Sequence, residues 1–159
     1  KLLLFGEHTI NRGSDALAIP YPAFGGEWAY AEDFTRQQNL LSLADYLDDL
    51  QKKGQLLAAI DTAAFRAELA QGLYFDSNIP VGYGLGSSGA LCAAVYDRFC
   101  LDKIKLTDYQ RFQDLKKSLA QIESFFHGAS SGTDPLICYL NQPILIKASS
   151  EIAIVTLPS

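Results

Sequence analysis

The sequence predicts an α+β domain, with strands grouped apart from helices rather than alternating with them in strict βαβ units. Two observations carry this. Leucines at 40, 43, 47 and 50 are spaced 3-4-3, and Phe112, Leu115, Leu119, Ile122 and Phe126 repeat at helical spacing, so each set makes one apolar stripe. Short apolar runs toward both ends of the chain are of strand length.

In order, Leu2 to Phe5 suits a covered strand, predicted over 1–5. Asp15 to Ile19 is a second, and 27–34 alternates, with Trp28 and Tyr30 on one face. A helix is predicted over 38–53 and a shorter one over 62–70, ahead of the strand Leu73-Tyr74-Phe75. Two more helices follow, over 88–100 and 107–127. Thr107 and Gln110 would form a capping box at the start of the last, and Gly128 would end it. Ile137 to Leu140 and Ile144 to Lys147 flank Asn-Gln-Pro, a hairpin signal, and Ile152 to Leu157 is a last strand. The sequence contains no internal repeat.

Composition narrows the function. A chain of 159 residues, 48% hydrophobic, can bury one full core. Its net charge of −5 argues against nucleic acid, and Lys52-Lys53 and Lys116-Lys117 read as solvated helix faces rather than a basic stripe. No apolar run approaches the roughly 18 residues of a membrane span and no signal peptide is visible, so a cytoplasmic protein is expected. Cys92, Cys100 and Cys138 are odd in number and lack Cys-x-x-Cys spacing, which predicts reduced, packed thiols. Glu7, His8 and His127 lack the helical His-Glu-x-x-His frame of a zinc site.

The most informative segment is Pro80-Val-Gly-Tyr-Gly-Leu-Gly-Ser-Ser-Gly89, which runs into a helical stretch. Glycines let backbone curl and gather N–H groups, and a helix N-terminus behind them adds unpaired donors: together they form a phosphate site. No lysine stands where a P-loop needs one. Gly84, Gly86 and Gly89 match Gly-x-Gly-x-x-Gly, but Pro80 precedes them, and the acidic residue about 20 positions on falls near Asp108 at a helix start. A tight turn that only caps a buried helix is the plain alternative.

Two further segments bear on the choice. Lys1-Leu-Leu-Leu-Phe-Gly6-Glu7-His8 is a strand that ends in two polar side chains. In Glu123-Ser-Phe-Phe-His127-Gly128-Ala-Ser130-Ser131-Gly132-Thr-Asp134, Glu123 and His127 share one helix face, and the turn after Gly128 can swing Asp134 back toward Glu123. Alone, such a Glu/His pair is a solvated surface pair.

Together and in this order, the three segments resemble the GHMP kinases, which group galactokinase, homoserine kinase, mevalonate kinase and phosphomevalonate kinase. Lys1 to His8 is similar to the first motif and Pro-x-x-x-Gly-Leu-Gly-Ser-Ser to the central one. The third resembles the mevalonate kinase segment Glu-x-x-x-His-Gly-x-Pro-Ser-Gly-x-Asp, with identical spacing. Gly89 stands where the family more often has alanine, and Ser130 replaces its proline.

The resemblance implies a fold of the ribosomal protein S5 domain 2-like type, a sheet backed by helices. It implies that residues 1–159 are the N-terminal, ATP-binding domain, since the family's third glycine-rich motif, in a C-terminal domain, is not found. The start at Lys1 and the lack of any methionine further predict that residues are missing from the chain. By the same resemblance, Gly82, Gly84, Leu85, Gly86, Ser87 and Ser88 would wrap the triphosphate of ATP, and Ser88 and Glu123 would hold Mg²⁺. Asp134 would accept or orient the acceptor's proton, with Lys1 beside it to stabilise charge as the phosphoryl group moves. Glu7, His8 and Ser131 would contact the acceptor. The implied acceptor is the primary hydroxyl of mevalonate, giving 5-phosphomevalonate for isoprenoid precursor synthesis. Another GHMP kinase (phosphomevalonate or sugar kinase) and a non-catalytic nucleotide- or metabolite-binding relative are the alternatives, and a homodimer is left open.

Overall fold

The computed structural model describes residues 1–6, 14–149 and 151–157. Among them, five α-helices pack with two antiparallel sheets, an α+β arrangement. The larger sheet has the order β1 (Leu2–Phe5), β2 (Ala16–Ile19), β5 (Ile144–Ile146), β6 (Ile152–Ile154). The smaller pairs β3 (Gly26–Tyr30) with β4 (Leu73–Ser77). Between these lie α1 (Gln38–Lys52), α2 (Thr62–Leu69), α3 (Ser87–Phe99), α4 (Phe112–His127) and α5 (Thr133–Leu140). None of the described helices is long and apolar enough to cross a membrane.

Strand alternation sets which face is buried. Ala16 and Ala18 on β2, Ile144 and Ile146 on β5 and Ile152 on β6 all point into the core. There Ala18 and the three isoleucines join Leu40, Leu43 and Leu47 of α1 and Leu115, Leu119 and Ile122 of α4, one continuous cluster. Burial of each such Leu or Ile stabilises the fold by about 1.5–3 kcal/mol before entropy is counted. The β3–β4 hairpin docks through Trp28, whose ring meets Phe65, Phe75 and Phe99 edge-on at 6.4, 5.3 and 6.0 Å.

Four expectations are corrected. The strand expected to reach 34 stops at Tyr30, because the Asp33 carboxylate accepts the Thr35 N–H at 3.0 Å and opens a 3₁₀ turn over Phe34–Gln37. Thr107 and Gln110 do not cap α4, which begins at Phe112 after a 3₁₀ turn at Tyr109–Arg111. Backbone carbonyls of Lys105 and Asp108 accept from the N–H groups of Asp108 and Arg111, closing the turns that lead into it. Residues 137–140 are not a hairpin strand but part of α5: Leu136, Ile137 and Leu140 are buried at helical spacing, and Pro135 sits in the first turn, where its missing N–H costs nothing. Asn141, at φ +48°, is the stop of that helix rather than a hairpin turn, and β5 pairs with β2 and β6. Finally, the last strand ends at Ile154 rather than 157.

Candidate active site

The glycine segment crosses from β4 to α3 as a loop. Gly82, Gly84 and Gly86 take φ of +85°, +69° and +82°, a region that side-chain-bearing residues enter only under strain. A Cβ at Gly82 or Gly84 would meet nothing within 4 Å, so backbone conformation rather than crowding requires them. Gly86 precedes α3, and the first internal bond of the helix runs from the Ala90 N–H to the Gly86 carbonyl at 2.9 Å. The N–H groups of Ser87, Ser88 and Gly89 therefore lie in the unpaired first turn, at the positive end of the helix dipole. Such a turn suits an anion.

The start of α5 presses against this turn. A Cβ on Gly89 would lie 2.8 Å from Asp134 Cβ and 2.9 Å from both the Asp134 carbonyl carbon and the Pro135 nitrogen. Only glycine allows that approach. Asp134 Oδ2 in turn reaches within 3.3 Å of where a Gly86 Cβ would sit. Lys1 closes the arrangement from β1: its Nζ forms an ion pair with Asp134 Oδ1, and its backbone nitrogen donates to the Leu85 carbonyl at 3.0 Å. The two side chains are 16% and 26% exposed, better shielded from water than an ordinary surface bridge. The turn that delivers Asp134 is fixed by Gly132, at φ +72°, where a Cβ would fall 2.2 Å from the Lys116 carbonyl of α4.

A second cluster faces the loop from α4. Ser88 Oγ donates to Glu123 Oε1 at 3.2 Å and lies 3.0 Å from His127 Nε2. A hydroxyl has one hydrogen and a carboxylate oxygen only accepts, so Ser88 donates to Glu123 and accepts from His127, which places the imidazole hydrogen on Nε2. Glu123 is 5% exposed, and its other oxygen takes the Ser130 hydroxyl. The turn thus reaches Glu123 through Ser130, while Asp134 is held by Lys1. Ser131 is exposed and donates to Thr133 Oγ1 at 3.1 Å. Glu7 and His8 lie outside the described residues. From sequence, Gly89 and Ser130 read only as departures from a pattern. Their contacts with Asp134 and Glu123 arise where α3, α4 and α5 converge, which local spacing does not encode.

Beside the loop opens a cleft of about 510 Å³, bordered by Lys1 and Leu85 and lined by Tyr21, Phe24, Phe75 and Ile79 among others. Ser88, Glu123 and Asp134 stand outside its lining, across that border. Cys138 also lines it, and burial pushes this thiol up to about 11. All three cysteines are free. Among the described residues, no three His, Cys, Asp or Glu side chains gather as a metal site. The Ser88 and Glu123 oxygens remain a donor set that suits a hard divalent cation needing few protein ligands.

Known proteins match this chain in two ways. The model of the family described as GHMP kinases N terminal domain matches residues 55–142, more than half of the chain. Two curated relatives, the mevalonate kinases of Pyrococcus abyssi and Thermococcus sibiricus, are each 28% identical over 158 residues. Each match covers 86% of this chain and 46% of the relative, so the chain spans less than half the length of these relatives.

Proposed function

The chain belongs to the GHMP kinases, through the N-terminal domain of that family, and from that premise we propose that it is the ATP-binding part of a small-molecule kinase whose acceptor is mevalonate. The observation that carries the reading is the Lys1–Asp134 ion pair lying against the glycine loop, with Ser88 and Glu123 paired at the same helix start. Phosphoryl transfer asks a protein chiefly for positioning and charge stabilisation, and these groups supply both.

In this reading the loop from Gly82 to Ser88 holds the triphosphate through backbone N–H groups, and the aromatic cleft beyond Leu85 takes the base. Ser88 and Glu123 would hold Mg²⁺, which when bound neutralises phosphate charge. Asp134 Oδ2, the oxygen next to Gly86, orients the acceptor hydroxyl and receives its proton as the hydroxyl oxygen bonds to the γ-phosphorus and the bond from that phosphorus to the β-phosphate oxygen breaks. Lys1 stays paired to the other carboxylate oxygen and faces the charge that moves across the phosphoryl group. Support for mevalonate comes from the Glu-x-x-x-His-Gly segment and from the two relatives named mevalonate kinase.

The test is turnover of the full-length protein with mevalonate, phosphomevalonate, galactose and homoserine, together with its Asp134→Asn variant. Mevalonate is expected to be the preferred acceptor, and the variant should lose turnover by about 10²–10⁴-fold while a nucleotide titration still shows ATP bound. Near-normal turnover by that variant removes Asp134 from its role, and preference for another acceptor removes mevalonate.

A further inference from the structure

Ser130 stands where the family pattern has a proline, and its hydroxyl makes two contacts a proline cannot make. It donates to Glu123 Oε2, and it accepts the Gly132 N–H at 2.9 Å. We propose that Ser130 is a positioning residue for phosphoryl transfer: it fixes the rotamer of Glu123 so that Oε1 faces Ser88, and it ties that carboxylate to the turn that carries Asp134. The proposal rests on the assignment of Ser88 and Glu123 given above.

The physical need is specific. Glu123 is 5% exposed, so its second oxygen needs a protein partner far more than a surface carboxylate does, and three side-chain torsions leave a free carboxylate several orientations. One hydroxyl on Oε2 removes that freedom while leaving Oε1 toward the loop. The same oxygen, as acceptor for Gly132, anchors the residue that precedes α5, and Asp134 lies two positions further along. The proline of the family pattern would stiffen the turn through its ring. Here a hydrogen bond does so, and it connects the turn to the carboxylate as well.

Ser130→Ala, Ser130→Thr and Ser130→Pro in the full-length protein separate these roles. Binding of Mn²⁺, a spectroscopic stand-in for Mg²⁺, is followed by electron paramagnetic resonance with ATP present, alongside kcat, KM for ATP and the unfolding temperature. Ser130→Ala should weaken Mn²⁺ binding about 10-fold and lower kcat more than it raises KM. Threonine, which keeps the hydroxyl, should restore both to within about 3-fold, and proline, which restores only the turn, should not. Unchanged Mn²⁺ binding in the alanine variant, or full rescue by proline, overturns the proposal. Glu123→Gln is the control on the underlying assignment. If it too leaves Mn²⁺ binding unchanged, the metal reading has failed; if it abolishes binding while Ser130→Ala does nothing, only the role of Ser130 has.

Discussion

Gly89→Ala tests the contact between α3 and α5 directly. The added Cβ would start 2.8–2.9 Å from three atoms of Asp134 and Pro135, two of them backbone, whereas ordinary contact begins at 3.4 Å. No side chain can swing away, so the two helix starts must part by roughly 0.5 Å, an overpacking that costs about 1–3 kcal/mol. Alanine returns up to about 1 kcal/mol of helix propensity, less so near a helix end. The net loss centres on about 1–2 kcal/mol, which lowers Tm by roughly 2–8 °C for a cooperative unit of about 150–250 residues, with this domain melting on its own. Activity should suffer more than stability does. A misplacement of 1 Å costs about 10²-fold, so half of that at Asp134 costs about 10-fold in kcat, and propensity cannot restore it. Scanning calorimetry and initial rates on the full-length protein read the two effects separately. A variant that melts no lower than the parent and turns over at the parent rate would show that the close approach does not position Asp134.

Two other outcomes follow from buried groups. Burial pushes Tyr96 up to about 12, and its hydroxyl accepts the buried Ile104 N–H at 3.0 Å. Because the folded value exceeds the unfolded one of about 10, the contribution of Tyr96 is full below that pH and is lost as pH rises toward 12. Tyr96→Phe should flatten this alkaline limb in denaturant titrations and cost about 1–3 kcal/mol at neutral pH by orphaning Ile104; an unchanged limb would refute the assignment. Cys138, raised to about 11 by burial, carries about a few hundred-fold less thiolate at neutral pH than a free cysteine. It should label with a disulfide reagent correspondingly slowly until the protein is unfolded, and labelling of the native protein at the free-cysteine rate would contradict this.

The residues differ in how far they announce their place. The stripes of α1 and α4 are legible because 3-4 spacing has one geometric meaning over four turns. The alternate glycines of the loop are legible because their positive φ values exclude other residues. Residues 137–140 are not, since four apolar residues satisfy a buried strand and a buried helix equally. What decides is Gly132 nesting on the Lys116 carbonyl, a contact 16 residues away in sequence. Thr107 and Gln110 mislead for a related reason: a capping box states only that side chains can serve N–H groups, and there the chain makes turns closed by the Asp108 and Arg111 N–H groups before α4 begins. Around the loop, Lys1, Glu123, Asp134 and the glycines stand out in the sequence, but the neighbours of each carboxylate depend on how three helices meet.

Lys1 grips the glycine loop with its backbone and α5 with its side chain, while Gly89 removes any gap between the two. Loop and helix start are therefore tied to each other by an ion pair, a hydrogen bond and a close backbone approach. Under the proposed roles, an anion that orders the loop would also meet part of the entropic cost of steadying Asp134 for a second molecule. Thermodynamic reciprocity then requires the reverse: under the proposed roles, an alcohol seated at the aspartate would tighten the grip on the phosphate by the same factor.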